Sequence, residues 1–146
     1  MAQAKRNFTV REAQWHTDSE ALRAIRHEVF VVEQSVPMEL EFDADDDQYH
    51  HVIAIDTDGT PIGTGRLSHD GKIGRMAVLK NARRNGVGSA ILDQLIVIAT
   101  ANDIHDLTLS AQLHALPFYR RQGFVELGEI YREAGIVHQK MAREIQ

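Results

Sequence analysis

The chain has 146 residues, of which 43% are hydrophobic and 25% are charged, and its formal net charge is −5. This balance predicts one domain over residues 1–146, and the negative charge argues against nucleic acid as a main partner. No apolar run is long enough to span a membrane, so no membrane partner is expected. The lack of cysteine excludes disulfides and thiolate metal sites. Together with an N-terminus that has no apolar signal core, it leads us to expect a cytoplasmic protein.

The predicted elements follow the order β-α-β-β-β-α-β-α-β-β, which indicates a mixed α/β sheet. The first helix is predicted to start at a capping box formed by Thr17 and Glu20. It is expected to bury one apolar stripe, which consists of Leu22, Ile25, Val29 and Val32. Strands are predicted at 8–12, 51–55, 61–67, 71–79, 107–111, 124–131 and 136–141, and the later helices at 87–98 and 113–121.

An acidic segment follows the first helix. It carries four aspartates, Asp43, Asp45, Asp46 and Asp47, and is expected to be a solvated loop. The alternatives are a region that attracts a cationic substrate and a metal site, but the spacing is not that of a calcium loop. His50 and His51 are adjacent on a predicted strand, so they point to opposite faces and make poor joint ligands. No bound metal is expected.

A basic turn before the long helix indicates ligand binding. Arg83, Gly86 and Gly88 fit the pattern R-x-x-G-x-G. A helix N-terminus offers free N–H groups and a positive dipole end, and glycine lets an anion approach the backbone closely. The turn therefore predicts a ligand that carries a pyrophosphate. Gly88 is not followed by the Lys-Ser/Thr of a Walker A loop, and Ile91 stands where a dinucleotide fingerprint needs its third glycine.

A second pattern lies about thirty residues after the turn. It reads A-x-x-F-Y-x-x-x-G-F, from Ala115 to Phe124. Together the two patterns resemble the GNAT superfamily of acyl-CoA-dependent N-acyltransferases, and the resemblance covers nearly the whole chain in element order. The runs at 29–34 (V-F-V-V-E-Q) and 134–141 (A-G-I-V-H-Q-K-M) are similar to small bacterial ElaA-like members. The last strand, with its histidine, also resembles glyphosate N-acetyltransferase and its relatives.

The resemblance implies an α+β GNAT fold, with a mixed, mostly antiparallel central sheet flanked by helices. It also implies acetyl-CoA as a co-substrate, and it allows for a homodimer because family members are often dimers. The pyrophosphate would lie on the amides of the glycine turn, and the pantetheine arm would pair with the preceding strand. The residues implied in these contacts are Met76, Ala77, Val78, Arg83, Arg84, Asn85, Gly86, Val87, Gly88 and Ser89.

Two catalytic residues are implied by the resemblance. Tyr119 would lie near the sulfur and protonate the departing thiolate, although it could instead be a packing aromatic. His138 is the candidate base, because imidazole titrates near neutrality and the similar strand of the glyphosate enzyme carries its base there. Many relatives use a Glu on the strand that corresponds to 72–76, but this chain has Lys72 and Gly74 at those alternating positions. The alternatives for His138 are a structural role and a water chain as the base.

Two arginines are candidates for acceptor binding. Arg26 shares a helix face with Phe30 and Glu33, so it would either bind an acidic acceptor or pair with Glu33. Arg75 would either contact the acceptor or form an ion pair with the acidic loop. These arginines indicate a carboxylated acceptor, whereas the acidic loop indicates a polyamine, and the sequence leaves both open.

Three functions are compatible with these patterns. The first is an acetyl-CoA-dependent N-acetyltransferase that transfers the acetyl group to a primary amine of a small molecule by direct attack in a ternary complex. The second is an acetyltransferase of a protein N-terminus or lysine. The third is a non-catalytic acyl-CoA-binding module. We favour the first, because the long 35–49 loop could close a small pocket.

Overall fold

The computed structural model describes residues 7–146. Its strands are β1 Phe8–Ala13, β2 His50–Asp56, β3 Pro61–Leu67, β4 Lys72–Val78, β5 Asp106–Gln112, β6 Val125–Glu133 and β7 Ile136–Glu144. They form one seven-stranded sheet in the order β1-β2-β3-β4-β5-β7-β6, in which the β4–β5 pair is parallel and the other neighbouring pairs are antiparallel. The seven predicted strands are confirmed, and the predicted element order holds except for a short additional helix at Met38–Glu41.

Within residues 7–146, four α-helices flank the sheet: α1 Trp15–Arg26, α2 Met38–Glu41, α3 Val87–Ala101 and α4 Leu116–Arg121. Alternation along β2 shows why both faces of the sheet are covered. Val52 and Ala54 belong to the core that contains α3, whereas Ile53 packs with Leu22 of α1. A strand that is covered on both faces needs apolar side chains on both sides, and Val52, Ile53 and Ala54 of β2 supply them.

The first helix differs from the prediction at both ends. It starts at Trp15, and a carboxylate oxygen of Asp18 accepts a hydrogen bond from the backbone N–H of Gln14 at 2.8 Å. The predicted capping box at Thr17 is therefore wrong. Beyond α1 the chain continues as a π-helical segment, His27–Glu33, whose wider turn changes the phase of the buried face. Val32, which was predicted in the apolar stripe, is consequently 57% exposed.

The sheet opens between β4 and β5. These strands pair only at Lys72 with Thr108 and at Ile73 with Leu109. Beyond that point β4 has a bulge opposite β3, and Arg75 within it has a positive φ of 51°. A bulge bends its strand, so β4 diverges from β5 and leaves part of its edge without a strand partner in the described chain.

Candidate active site

A cleft of about 590 Å³ opens where β4 and β5 separate. Four of the predicted site residues line it: Arg75, Met76, Tyr119 and His138. They come from two strands, β4 and β7, and one helix, α4, so the fold brings together residues that lie far apart in the chain. The other wall consists of the segment after α1, which contributes Phe30, Val36, Leu40 and Glu41.

Tyr119 is enclosed by aromatic rings at the cleft. Its side chain is on α4, and its residue is only 8% exposed. Phe118 and Phe124 contact its ring edge-to-face, at centroid distances of 5.0 and 6.0 Å. This burial raises the pKa of Tyr119 to about 12. The phenol therefore stays protonated at neutral pH.

His138 has one ring nitrogen bound to the backbone. Its Nδ1 lies 2.8 Å from the carbonyl oxygen of Ile136, and a carbonyl can only accept. Nδ1 therefore carries the hydrogen in the neutral imidazole, and the lone pair is on Nε2. No hydrogen bond to Nε2 occurs within residues 7–146. His138 lines the cleft, and a ring nitrogen with a free lone pair at such a site is what a base requires.

The glycine turn has the geometry of an anion site. Gly86 caps α3 with a positive φ of 82°, and α3 then begins at Val87. The first amides of an α-helix have no partner within the helix, so those of Val87, Gly88 and Ser89 point outward from the N-terminus. A Cβ on Gly88 would lie at an ordinary contact distance, 3.7 Å, from Cζ of Phe118, so the position has room for a side chain and carries none. Arg84 and Asn85 before the cap are exposed.

The guanidinium of Arg83 binds other parts of the protein. Its Nη1 and Nη2 each lie 2.6 Å from a carboxylate oxygen of Glu33, and its Nε donates to the carbonyl of Val78 at 2.9 Å. The hydrogen bond from Arg83 lowers the pKa of Glu33. A pair with Glu33 was one of the two predicted roles of Arg26, but the structure pairs Glu33 with Arg83.

Arg26 does not lie at the cleft, where a role in acceptor binding would place it. It is fully buried, outside the residues that line the cleft. Its Nη1 donates to Asp46 at 3.0 Å and its Nη2 to the carbonyl of Glu41 at 2.8 Å. Asp46 is buried as well and accepts a second bond, at 2.6 Å, from Arg66 of β3. The prediction of a solvated acidic loop is therefore wrong for Asp46, which anchors the loop to two arginines.

Charge and burial act in opposite directions on the two buried carboxylates. Burial alone would raise the pKa of Asp46, but the hydrogen bond and charge of Arg26, with further bonds, hold it below its ordinary value. Burial raises the pKa of Glu41 despite the nearby charges of Arg75 and Arg26. The difference follows from hydrogen bonding: Asp46 accepts well-aligned bonds, whereas Oε1 of Glu41 makes ion-pair contacts only.

Arg75 forms the ion pair that was one of its two predicted roles. Its Nε lies 2.9 Å from Oε1 of Glu41, and its Nη2 lies 3.3 Å from the carbonyl of Leu40. These contacts attach the acidic loop to the bulge in β4. The side chain remains 27% exposed and lines the cleft, so the contact with Glu41 does not remove it from the site.

Sequence reasoning missed a bridge across the cleft. Nε2 of Gln112, at the end of β5, donates to Oε1 of Gln34, just after the π-helical segment, at 2.8 Å. Both residues line the cleft. The partners are 78 positions apart, and neither belongs to the glycine turn or to the A-x-x-F-Y pattern.

Residues 7–146 contain no group of three metal-ligating side chains and no helix long and apolar enough to cross a membrane.

Comparisons with known proteins identify the family. Residues 12–145 match the model of the acetyltransferase (GNAT) domain, so the chain belongs to the GNAT family of acetyltransferases. It is 37% identical over 124 residues to an uncharacterized N-acetyltransferase of Bacillus subtilis (strain 168), YjcF, across 82% of this chain and 88% of that protein. An acyl-CoA N-acyltransferase from Pseudomonas aeruginosa superposes with a TM-score of 0.76 at 31% identity, over 93% of this chain and 99% of the other.

The resemblance to ElaA is also confirmed. Protein ElaA of Escherichia coli (strain K12) is 32% identical over 133 residues, which is 86% of each chain. Its crystal structure superposes with a TM-score of 0.81 over 93% of this chain and 99% of that chain. Family membership and the names of these relatives make this chain an acetyltransferase enzyme with the GNAT fold.

Proposed function

We propose that the protein transfers an acetyl group from acetyl-CoA to a primary amine of a small molecule, by direct attack in a ternary complex. The observation that carries the proposal is the cleft in which a protonated phenol, Tyr119, and an imidazole with a free lone pair, His138, occur together. A proton donor and a proton acceptor in one cleft are what acyl transfer to an amine requires.

Two features support acyl-CoA as the co-substrate. The first is the N-terminus of α3, where the cap at Gly86 and the amides of 87–89 would hold the pyrophosphate. The second is the free edge of β4, where the backbone of Met76, Ala77 and Val78 would pair with the extended pantetheine arm. A relative is named an acyl-CoA N-acyltransferase. NAD and ATP should bind more weakly, because neither of their fingerprints is complete.

The thioester supplies an acyl carbon that is bonded to a good leaving group. In the transfer, a carbon–nitrogen bond forms to the acceptor amine and the carbon–sulfur bond breaks. The amine loses a proton to Nε2 of His138, and the phenol of Tyr119 gives a proton to the departing sulfur. A backbone N–H of β4 near Met76 would polarise the carbonyl oxygen. Both side chains return to their starting states by exchange with solvent.

The shape of the cleft supports a small acceptor. Its volume of about 590 Å³ lies in the range of small-molecule sites. The loop after α1 forms one wall through Val36, Leu40 and Glu41, and the Gln34–Gln112 bridge crosses the cleft. A peptide substrate would need an open groove at this wall. Acetylation of a protein N-terminus or lysine is therefore the second candidate.

The test is an acceptor screen that follows the release of CoA with a thiol-reactive dye. The chain has no cysteine, so the dye reports only the CoA thiol. Primary amines, amino acids, polyamines and peptides with free N-termini would be compared at equal concentration with acetyl-CoA. We expect release that depends on a small amine, and mass spectrometry should find the acetyl group on its nitrogen. Release with peptides alone would favour the second candidate, and no release together with no acetyl-CoA binding would refute both.

A further inference from the structure

An aromatic ring stacks against His138, and a hydrogen bond to a residue of a third strand, β5, holds that ring. Tyr131 on β6 is the cross-strand partner of His138 on β7, and their rings stack with centroids 6.1 Å apart and planes 26° apart. The hydroxyl of Tyr131 is hydrogen-bonded to Oγ of Ser110 on β5. Because β7 lies between β5 and β6, the tyrosine side chain reaches across the strand that carries His138.

Packing alone does not account for this arrangement. Tyr131 is 36% exposed, and every residue of β6 is exposed, so the ring contributes little to the core. An exposed tyrosine on an edge strand ordinarily keeps several rotamers, and ordering it costs conformational entropy. Here its hydroxyl binds one specific side chain two strands away. Ser110 lines the cleft together with His138, so the tether ends at the site itself.

His138 needs a second constraint to act as a base. The bond from its Nδ1 to the carbonyl of Ile136 fixes one atom of the ring, and that carbonyl is only two residues away on the same strand. One hydrogen bond alone would let the ring tilt and move Nε2 relative to the acceptor, so its orientation depends on the side chains that bury His138, which is only 7% exposed. A flat aromatic surface against the imidazole restricts this tilt.

We propose that Tyr131, tethered by Ser110, is a positioning residue that holds the His138 imidazole with Nε2 directed into the cleft. The proposal rests on the proposed function, because it assigns His138 the role of proton acceptor. Tyr131 itself need not touch the substrate, since it acts through His138.

The kinetic test removes the tether while keeping the ring. Tyr131→Phe and Ser110→Ala should each lower kcat about three- to tenfold, as expected for one hydrogen bond, with the KM for acetyl-CoA unchanged. The double variant should be no slower than the slower single variant, because both changes break the same bond. In a His138→Ala background neither change should reduce kcat further. A loss of equal size in that background would overturn the proposal, since Ser110 or Tyr131 would then act independently of His138.

A matched control lies next to Tyr131 on β6. Ile130→Ala changes an exposed apolar side chain of the same strand and should leave kcat within about twofold of the wild type. If Ile130→Ala slows the reaction as much as Tyr131→Phe, the effect belongs to the strand and the proposal fails.

NMR tests the stacking without any turnover. The His138 ring protons, identified by their loss in His138→Ala, should carry a ring-current shift in the wild type. That shift should shrink in Tyr131→Ala and, to a smaller extent, in Ser110→Ala. Unchanged shifts in both variants would show that Tyr131 does not hold the ring. If the shifts move but no amine is acetylated, the positioning is real and the proposed function alone has failed.

Discussion

Arg83 and Glu33 join the two sides of the molecule that meet at the glycine turn. The two guanidinium nitrogens of Arg83 each lie 2.6 Å from a carboxylate oxygen of Glu33, a two-point contact across 50 positions of sequence. A third nitrogen binds the carbonyl of Val78, at the end of β4. The arginine therefore ties the end of the π-helical segment, the end of β4 and the loop before α3 to one another.

This contact predicts how the loop responds to charge removal. If Arg83 holds the shape of the turn, Arg83→Gln and Glu33→Gln should each weaken acetyl-CoA binding by up to about fivefold, because a partly exposed pair contributes up to about 1 kcal/mol. The double variant should lose little more acetyl-CoA affinity than the single variant that binds more weakly. Calorimetry measures all three. A loss of more than about a hundredfold in Arg83→Gln alone, with Glu33→Gln unaffected, would mean that Arg83 binds the phosphates directly.

Gly88→Val should abolish acetyl-CoA binding in a folded protein. A Cβ at this position meets Phe118 at an ordinary 3.7 Å, so the helix can accept a side chain that then occupies the anion surface. Gly86 is a poorer choice because its positive φ of 82° strains any side chain. Ala101→Val, in the last turn of α3, is the matched control and should bind normally. Normal binding by Gly88→Val would exclude the turn as the pyrophosphate site.

The sequence predictions that the structure confirms are those that rest on local patterns. Alternation gave the strands, and the glycines at 86 and 88 mark the start of α3, because turn and helix-start chemistry is set by neighbouring residues. Long-range pairing could not be predicted in this way. Asp45, Asp46 and Asp47 look alike in the sequence, and only the approach of arginines from α1 and β3 buries the middle one.

The same limit applied to the cleft. Tyr119 was identified by its motif, whereas the partner of Arg83 and the bridge between Gln34 and Gln112 depend on contacts across the fold. No sequence pattern marks the π-helical segment, so a prediction based on the regular α-helical period continues through it. That period places Val32 in the buried stripe, whereas the structure exposes it.

Asp46→Asn should destabilise the fold strongly. The change leaves the buried Arg26 and the neighbouring Arg66 without their shared anion, and breaking a buried pair costs about 3–5 kcal/mol. Urea unfolding at neutral pH measures the effect. Asp45→Asn, one residue earlier and exposed, should cost less than about 0.5 kcal/mol. Equal losses in the two variants would contradict the anchoring role.

The same carboxylate predicts an acid limb of stability. The pKa of Asp46 is lower in the folded protein than its ordinary value of 3.8, so its contribution is complete above that value and is lost as the pH falls through the folded pKa. Asp46→Asn should therefore show a weaker loss of stability in this acid range than the wild type. Parallel curves for the two proteins would contradict the linkage.

The buried phenol of Tyr119 should make the fold less stable at alkaline pH. Its pKa is 10.0 when unperturbed and about 12 when folded, so the unfolded chain releases its proton first as the pH rises. Stability is therefore complete below pH 10 and falls towards pH 12, by about 1 kcal/mol near pH 11. Tyr119→Phe removes the ionisable hydroxyl, so the stability of this variant relative to the wild type should improve over that range. A constant difference between the two proteins from pH 7 upwards would contradict the burial of the phenol.

The rate of CoA release with one amine acceptor, measured for the wild type, Tyr119→Phe and His138→Ala, tests the roles of these two side chains most directly. Each variant should lower kcat about a hundredfold or more, because a positioned proton-transfer group typically contributes about 10²–10⁴-fold. Acetyl-CoA should still bind by calorimetry, because the glycine turn is unchanged, and His138→Ala should lose the acid-side inflection of the pH–rate profile. If both variants bind acetyl-CoA and release CoA at the wild-type rate, with the inflection intact, neither side chain transfers a proton and the assignment of the cleft is contradicted.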